Sequence, residues 1–550
     1  MQTERIGDSG RRRAPLAEHA PLLLGIGLGA FLVAVTLAQS LHRTDGRLVY
    51  PLDDAYIHLA MARNVAEHGV WGVTRHEFSA TSSSPLWTLL LSGCFLAGGP
   101  REIVPLALNL AALFALLAIA GRILRALAPF GGRAAVFSLL AAILLFTPLV
   151  PLAMTGQEHL LHLTASLAFV YLAARRLTGT DASAGRRERA AFWLLAPVLV
   201  LLRYESLFLL APVAAGLLLR GRRTQAAALG ALALAPLVAV GIVHLAHGAF
   251  FLPNPILRKA NLPWNDAGQL IRTLTGYTAV RRLFVNAHLL FPALAALLLL
   301  ARPSSPGTLA DRTGRAMLIL FLIALFLHLS FADVGWFYRY EAYLMGIGLL
   351  ALGLVVLERA REWRGAGLPA RPGKSAAAIA AAALFLVAVG DRGVRAFLET
   401  PRAAANIYEQ QIQMGLFLRD HYAGEAVALN DIGAANYLAD ITCVDLYGLA
   451  NRDVLRAIRE KTYDVNALAR VVAEKRARIA VVYPHWLRIP PSWTRVGEWQ
   501  IRDNVVNGGD RIAFYAIEPG EREVLAAKLR RFAARLPARV RQGGLYVERP

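Results

Sequence analysis

The sequence predicts a polytopic α-helical membrane protein with a C-terminal external α/β domain, and three observations carry that expectation. The 550 residues are 56% hydrophobic with a mean hydropathy of +0.45, far above the balance of a soluble domain. Runs such as "PLLLGIGLGAFLVAVTLAQSL" and "AAALGALALAPLVAVGIVHLA" reach the roughly 20 apolar residues that cross hydrocarbon. Finally, the last part of the chain is less apolar and alternates helical with strand-like patterns.

The net charge of +21 would suit a nucleic-acid binder if it were gathered on one surface. It is instead dispersed in short basic loops: Arg11–Arg13, Arg122/Arg125/Arg133, Arg175/Arg176 with Arg186/Arg187/Arg189, Arg220/Arg222/Arg223, Arg312/Arg315 and Arg359/Arg361/Arg364. That is the positive-inside pattern, so the charge records topology and no nucleic-acid partner is expected. Cys94 and Cys443 fall in an apolar helix and in the hydrophilic part, which supplies neither a disulfide pattern nor a thiolate metal site.

Spans are expected near 21–40, 103–120, 133–150, 158–174, 190–202, 205–219, 225–246, 285–301, 315–331, 340–357 and 375–390, about 11 in all. The first reads as a retained signal-anchor, because its apolar run is long and no small-x-small cleavage site follows. Placing the N-terminus inside puts every basic loop on the cytoplasmic side. "PLWTLLLSGCFLAGG" (85–99) would invert that parity if it crossed, so it is expected as an interfacial or half-inserted helix. The segments left outside are 41–102, 151–157, 203–205, 247–284, 332–339 and the chain after about 391. This divides the protein into a membrane module, 1–392, and an external α/β domain, 393–550. In the latter, "NIYEQQIQMGLFLRDHY" has helical spacing, and "EAVALND", "ITCVDLYG", "ARIAVVYP" and "DRIAFYAI" read as strands.

The external segments hold the chemistry. Asp53 and Asp54 open a stretch, 54–68, whose apolar positions Ile57, Ala60, Met61 and Val65 predict a helix lying along the membrane with one face in lipid. Charge beside hydrocarbon costs several kcal/mol unless hydrated, paired or used. An Asp is a preferred helix cap, so one of the pair is expected to cap and the other to project. "SATSSSPLW" (79–87) reads as a capping turn into a proline-led helix, and Ser83, Ser84 and Trp87 with Tyr56 are candidates to shape the site opposite the acids.

"MTGQEHLLH" (154–162) places Glu158 and His162 on one helix face with His159 between them. Two histidines and a Glu raise a metal site, but the spacing is not HExxH, and Glu158 as a hydroxyl acceptor or carboxylate partner fits better. Arg203 and Glu205 in "LLRYESLF" are either substrate contacts or a mutual ion pair. "HGAFFLPNPILRKANLPW" (247–264) carries Asn254 and the cations Arg258 and Lys259 against the positive-inside bias, which suits a phosphate or lipid headgroups. "DVGWFYRYEAY" (333–343) adds Tyr338, Arg339 and Glu341, Arg339 being a second phosphate candidate within an aromatic belt.

Taken in order, "DDAYI…ARN", "TSSSPLW", "GQE", "RYE", "LPNPILRK", "FYRYEAY" and "NDIGAANYLAD…VDLYGL" resemble the GT-C glycosyltransferases, and among them bacterial arabinofuranosyltransferase-like proteins that use polyprenyl-phosphate sugars. Where such proteins usually show "GLE", this chain has Gly156–Gln157–Glu158. The resemblance implies an inverting transfer at the outer face of the bacterial cytoplasmic (inner) membrane, with site and C-terminal domain facing the periplasm. Asp53 (with Asp54 the alternate) would be the base, and Arg258, Lys259 and Arg339 would hold the donor phosphate. Tyr56, Ser83, Ser84, Trp87, Glu158, His159, Arg203, Glu205, Asn254, Tyr338 and Glu341 would line the substrates. The implied partners are a polyprenyl-phosphate sugar and a glycan, lipid or protein acceptor. A monophosphate leaving group beside several cations does not require a metal, and a divalent ion stays open. Two other classes compete. A transporter or flippase would show inverted repeats and mid-membrane charges, and a scaffold would be indifferent to loss of the aspartates.

Overall fold

The computed structural model describes residues 15–129, 131–180, 185–259, 267–302, 308–365 and 372–547. Arg11–Arg13 and the end of the 247–264 loop lie outside them. The chain opens with α1 (Pro15–Arg43), then two short helices, α2 (Asp53–His68) and α3 (Pro85–Gly98). The bundle continues with α4 (Ile103–Leu127), α5 (Arg133–Phe146), α6 (Leu149–Met154), α7 (His159–Leu177), α8 (Arg186–Leu202), α9 (Leu207–Leu219) and α10 (Arg223–Ala246). Three short helices follow, α11 (Asn254–Lys259), α12 (Ala267–Leu274) and α13 (Tyr277–Val285). The long ones resume as α14 (Ala287–Ala301), α15 (Leu309–Phe331), α16 (Ala342–Gly365) and α17 (Pro372–Ile407).

Among the described residues six helices are long and apolar enough to cross a bilayer, or seven if α13 and α14, bent by 109°, form one broken span. The expected count of about 11 is therefore not reached by length and composition. Helices α5, α8 and α9, at 14, 17 and 13 residues, fall short of the roughly 20 that span hydrocarbon untilted. The bundle is nevertheless one apolar core, running from Leu113 and Leu116 through Phe169 and Leu199 to Phe321 and Leu350, all buried.

Helix α17 passes into a π-helical turn, Tyr408–Ile412, and then α18 (Gln413–His421). The module boundary expected at 392/393 thus lies inside one unbroken helical run. Beyond it six strands, β1 (Ala426–Leu429), β2 (Thr442–Asp445), β3 (Ile479–Val482), β4 (Thr494–Gln500), β5 (Arg511–Ala516) and β6 (Arg541–Gly544), form a sheet ordered β2-β1-β3-β5-β4-β6. Strands β2, β1 and β3 run parallel, with Ala428 opposite Val444 and Ala480, whereas β3, β5, β4 and β6 pair antiparallel. Helices α19 (Gly433–Leu438), α20 (Arg452–Arg459), α21 (Val465–Glu474) and α22 (Glu521–Ala533) complete the domain. The four strands read from sequence are β1, β2, β3 and β5. Strand β4 escaped notice because "TRVGEWQ" breaks its apolar alternation with a bulge between Arg495 and Gly497, and β6 is an edge strand with two glycines.

Helix α2 differs from the sequence expectation. Its residues Ala55 to Ala62 are all buried in protein, so no face is left for lipid. One side packs on α3 and the other on α19, and Tyr56, Leu59 and Met61 share a core with Phe417, Ile432 and Trp499 of the C-terminal domain. The apolar periodicity recorded contact with a folded domain, which asks for the same residue types as lipid does. Helix α3 is the one that keeps large apolar residues outward, Leu89, Leu90 and Leu96.

Candidate active site

The two adjacent aspartates have opposite fates. Neither caps α2: the residue before the helix is Leu52, and no side chain caps its first amides. Asp53 instead reaches the C-terminal domain, where its two carboxylate oxygens accept the backbone N–H groups of Gly433 and Ala434 at 2.7 and 2.8 Å. Burial and the facing Asp431 carboxylate push Asp53 upward, and those two amides oppose the shift. Asp54 turns the other way. Its Oδ2 accepts from Arg339 Nη2 at 2.5 Å and from Lys259 Nζ at 3.3 Å. Burial alone would raise the Asp54 carboxyl, but the two cations overcome it and hold it well below the ordinary carboxylate range.

Three loops far apart in sequence deliver these groups. Lys259 ends α11, which is tied to the first loop where Asn254 N–H bonds Ala80 O at 2.9 Å. Arg339 leaves a strained turn in which Gly335, Trp336, Phe337 and Tyr338 all have positive φ, a run that non-glycine residues adopt only when their surroundings compel it. Its Nη1 bonds Gln157 Oε1 at 2.8 Å and its guanidinium lies 4.9 Å over the Tyr340 ring. Gln157 is positioned by Gly156, whose φ is +69° and where a Cβ would meet the Tyr50 ring at 2.5 Å.

Two cavities meet at Asp54. One, of about 330 Å³, opens into the helical bundle, with Phe208, Leu237, Leu252 and Phe331 on its apolar wall and His58, His159, Arg203 and Arg339 on its polar wall. The other, of about 280 Å³, lies under the C-terminal domain and is bordered by Asp53, Asp431, Tyr447 and Trp486. Asp54, Ile57, Lys259, Asp333, Tyr340 and Leu449 line both. The polar wall of the first cavity is cross-linked. Arg203 Nη1 donates to Glu158 Oε1 at 2.7 Å, its other nitrogens bind Glu205, and its guanidinium faces Tyr340 at 5.7 Å. Two guanidiniums, those of Arg203 and Arg339, therefore lie within cation–π reach of the Tyr340 ring.

Of the residues singled out from sequence, Asp54, Ser83, His159, Arg203, Glu205, Lys259 and Arg339 line the bundle cavity, and Asp53 lines the second. Glu158 stands behind the wall as Arg203's fully buried partner. Together with His159 and His162 it forms no metal-binding group among the described residues; His162 Nε2 instead pairs with Ser206 Oγ at 2.9 Å. Others stand apart. Arg258 stacks on Tyr447 at 4.3 Å and donates to its carbonyl, lining neither cavity. Tyr56 is core, its hydroxyl accepting Tyr50 N–H, and Ser84, Trp87 and Asn254 are buried off the cavities. Tyr338 and Glu341 face a different depression, where Tyr338 bonds Glu399 at 2.5 Å and Glu341 pairs with Arg392 at 2.7 Å. These residues read as site candidates because aromatic and charged types also build buried interfaces. Sequence reasoning passed over Tyr340, Gln411, Asp431 and Trp486, and of these only Asp431 had a signal, the polar "ND" pair directly after strand β1.

Residues 405–515 match a family model described as a domain of unknown function, DUF8728. No curated protein matches the chain. Among solved structures, ArnT from Cupriavidus metallidurans bound to undecaprenyl phosphate is similar at 16% identity and a TM-score of 0.47, over 90% of this chain and 98% of that one. The archaeal oligosaccharyltransferase AglB from Archaeoglobus fulgidus, in complex with an inhibitory peptide and a dolichol-phosphate, is similar at 13% identity and a TM-score of 0.42, over 90% of this chain and 74% of that one.

Proposed function

We propose that this protein is a GT-C-type membrane glycosyltransferase that moves a sugar from a polyprenyl-phosphate donor to a hydroxyl of a cell-envelope acceptor. In this reading it works at the outer face of a bacterial cytoplasmic membrane, and arabinofuranose is the donor sugar that its sequence resemblance favours. The observation that carries the reading is the place of Asp54. It stands at the junction of a largely apolar cavity entering the bundle and a second cavity under the external domain bordered by Asp53 and Asp431, beside Lys259 and Arg339.

The donor's isoprenoid end suits the apolar wall of the bundle cavity, and its phosphate suits Lys259 and Arg339, with Arg203 lining the same cavity. The acceptor hydroxyl enters from the other side and gives its proton to the Asp54 carboxylate as its oxygen bonds to the anomeric carbon. The bond from that carbon to the phosphate oxygen breaks, and polyprenyl phosphate leaves with the electron pair from the opposite face, inverting the centre. Proton removal of this kind is worth about 10²–10⁴-fold, and cations set where the leaving charge develops lower the barrier further. Lys259 and Arg339 have a second effect. A phosphate that shares them weakens their hold on Asp54, so donor arrival raises the carboxylate's affinity for the acceptor proton. Asp53 anchors α2 to the C-terminal domain and fixes Asp54 between the cavities.

The test is purified protein in nanodiscs with a panel of polyprenyl-phosphate sugars and envelope extract, monitoring release of lipid phosphate. Release that Asp54→Asn abolishes is expected; release from no donor overturns the reading.

A further inference from the structure

The cavity under the C-terminal domain carries more than the transfer chemistry needs. Its walls come from the carboxyl ends of three adjacent parallel strands: Asn430 and Asp431 follow β1, Tyr447 follows β2 and Trp486 follows β3. In open α/β sheets this is the edge at which ligands bind. The fourth wall is Gln411, in the π-helical turn Tyr408–Ile412 that connects bundle and domain; such turns recur at functional sites.

The polar groups here are organised and incompletely used. Asp431 Oδ2 accepts from Gln411 Nε2 at 2.8 Å and from the Tyr483 hydroxyl at 2.7 Å. Gln410 Oε1 also lies 2.7 Å from that hydroxyl, whose single proton serves one of the two acceptors at a time, and accepts from Asn507 Nδ2 at 2.9 Å. Yet Gln411 Oε1 and Asn507 Oδ1 are buried with no hydrogen-bond partner among the described residues, and Gln411 is 1% exposed. An unpaired buried carbonyl costs of the order of 1–3 kcal/mol, so two of them flanking one cavity call for a donor supplied from outside. The remaining wall is aromatic. Trp486 is 37% exposed, lies tilted against Tyr447 with ring centroids 5.0 Å apart and is braced by Gly508, where a Cβ would lie 2.1 Å from the indole.

We infer that this cavity is a carbohydrate site: it holds a sugar residue of the acceptor, one face of the ring against Trp486 and its hydroxyls donating to Gln411 Oε1 and Asn507 Oδ1. The inference rests on the transferase reading and narrows it, since a glycan acceptor is chosen over a bare lipid or protein. The chemistry is specific in this respect. A sugar ring offers apolar C–H faces to an indole and several hydroxyl donors at its rim. An acyl chain offers no donors to the two carbonyls. An ammonium or metal cation would need free negative charge, but Asp53, Asp54 and Asp431 are each already compensated by amides, cations or hydroxyl donors.

The experiment measures binding of methyl glycosides (arabinofuranoside, mannopyranoside, glucopyranoside and galactopyranoside) to the full-length protein in nanodiscs by saturation-transfer NMR and calorimetry. Undecaprenyl phosphate binding is measured on the same samples, and Trp486→Ala and Gln411→Leu are compared with the unaltered chain after both are checked for an unchanged melting profile. At least one glycoside binds, both variants weaken it by about tenfold or more, and undecaprenyl phosphate binding is retained. No glycoside binding, or binding that neither variant changes, while undecaprenyl phosphate still binds, overturns the carbohydrate site and leaves the transferase reading standing. Loss of undecaprenyl phosphate binding in the unaltered chain instead overturns the transferase reading on which the inference rests.

Discussion

Asp53 and Gly433, 380 residues apart, are in backbone contact: the Gly433 N–H donates to the Asp53 carboxylate at 2.7 Å, and a Cβ on Gly433 would lie 2.1 Å from the Asp53 carbonyl oxygen. The first acid of the pair is thus a joint between helix α2 and the C-terminal domain. Only a residue without a side chain permits the approach, because the obstructing atom is main chain and cannot rotate away. Gly433→Ala is expected to cost about 1–3 kcal/mol, as overpacking does. Thermal unfolding in detergent, together with faster proteolysis between α18 and β2, would show it; an unchanged profile would mean that the joint yields freely.

Exchange of the two acids separates anchor from base. Asp54→Asn should retain the melting temperature within a few degrees and lower kcat by about 10²–10⁴. Asp53→Asn keeps one acceptor oxygen but replaces the other with a donor facing an amide, so its main effect should be on stability. Steady-state kinetics and melting curves on both variants decide the matter, and equal losses of kcat at equal stability would contradict the division of labour.

The pH dependence follows from the sign of the Asp54 shift. Its folded-state carboxyl lies below the ordinary value, so the stabilisation from its ion pairs is present above about pH 4 and is lost as pH falls further. The acid limb of kcat/KM, which reports the free enzyme, should accordingly sit below about pH 4. Lys259→Met removes one of the two cations, and that limb should move upward. A limb that stays in place would show that Arg339 alone sets the carboxylate.

Arg203 and Glu158 supply a further prediction. Glu158 is fully buried and Arg203 is its charge-bearing hydrogen-bond partner at 2.7 Å. Arg203→Met leaves two buried carboxylates, Glu158 and Glu205, without their shared cation, and breaking one such buried pair typically costs about 3–5 kcal/mol. Adding Glu158→Gln together with Glu205→Gln should restore much of that loss without restoring activity, because Arg203 also lines the bundle cavity. A triple variant as unstable as the single one would point to packing in place of charge.

Local patterns along the chain predicted a helical bundle with an α/β part and many of its elements. Apolar runs gave the helical bundle, and alternation gave β1, β2, β3 and β5. The cost of charge beside hydrocarbon marked Asp53 and Asp54, the positive-inside bias marked Arg258 and Lys259, and an aromatic belt marked Arg339; of these the fold brings Asp54, Arg339 and Lys259 together at 2.5 and 3.3 Å. These are local signals, carried by periodicity and by the cost of burying charge. What tertiary structure alone decided was which neighbour each side chain meets. Helix α2 faces a folded domain where its pattern suggested lipid, Asp53 became a joint and Asp54 a junction, and Arg258 turned to Tyr447 while the adjacent Lys259 turned to the acid. The cavity bordered by Asp431, Gln411 and Trp486 exists only once β1, β3 and the π-helical turn are side by side. No spacing along the chain encodes that proximity, because it is fixed by long-range strand pairing and by the packing of the domain on the bundle.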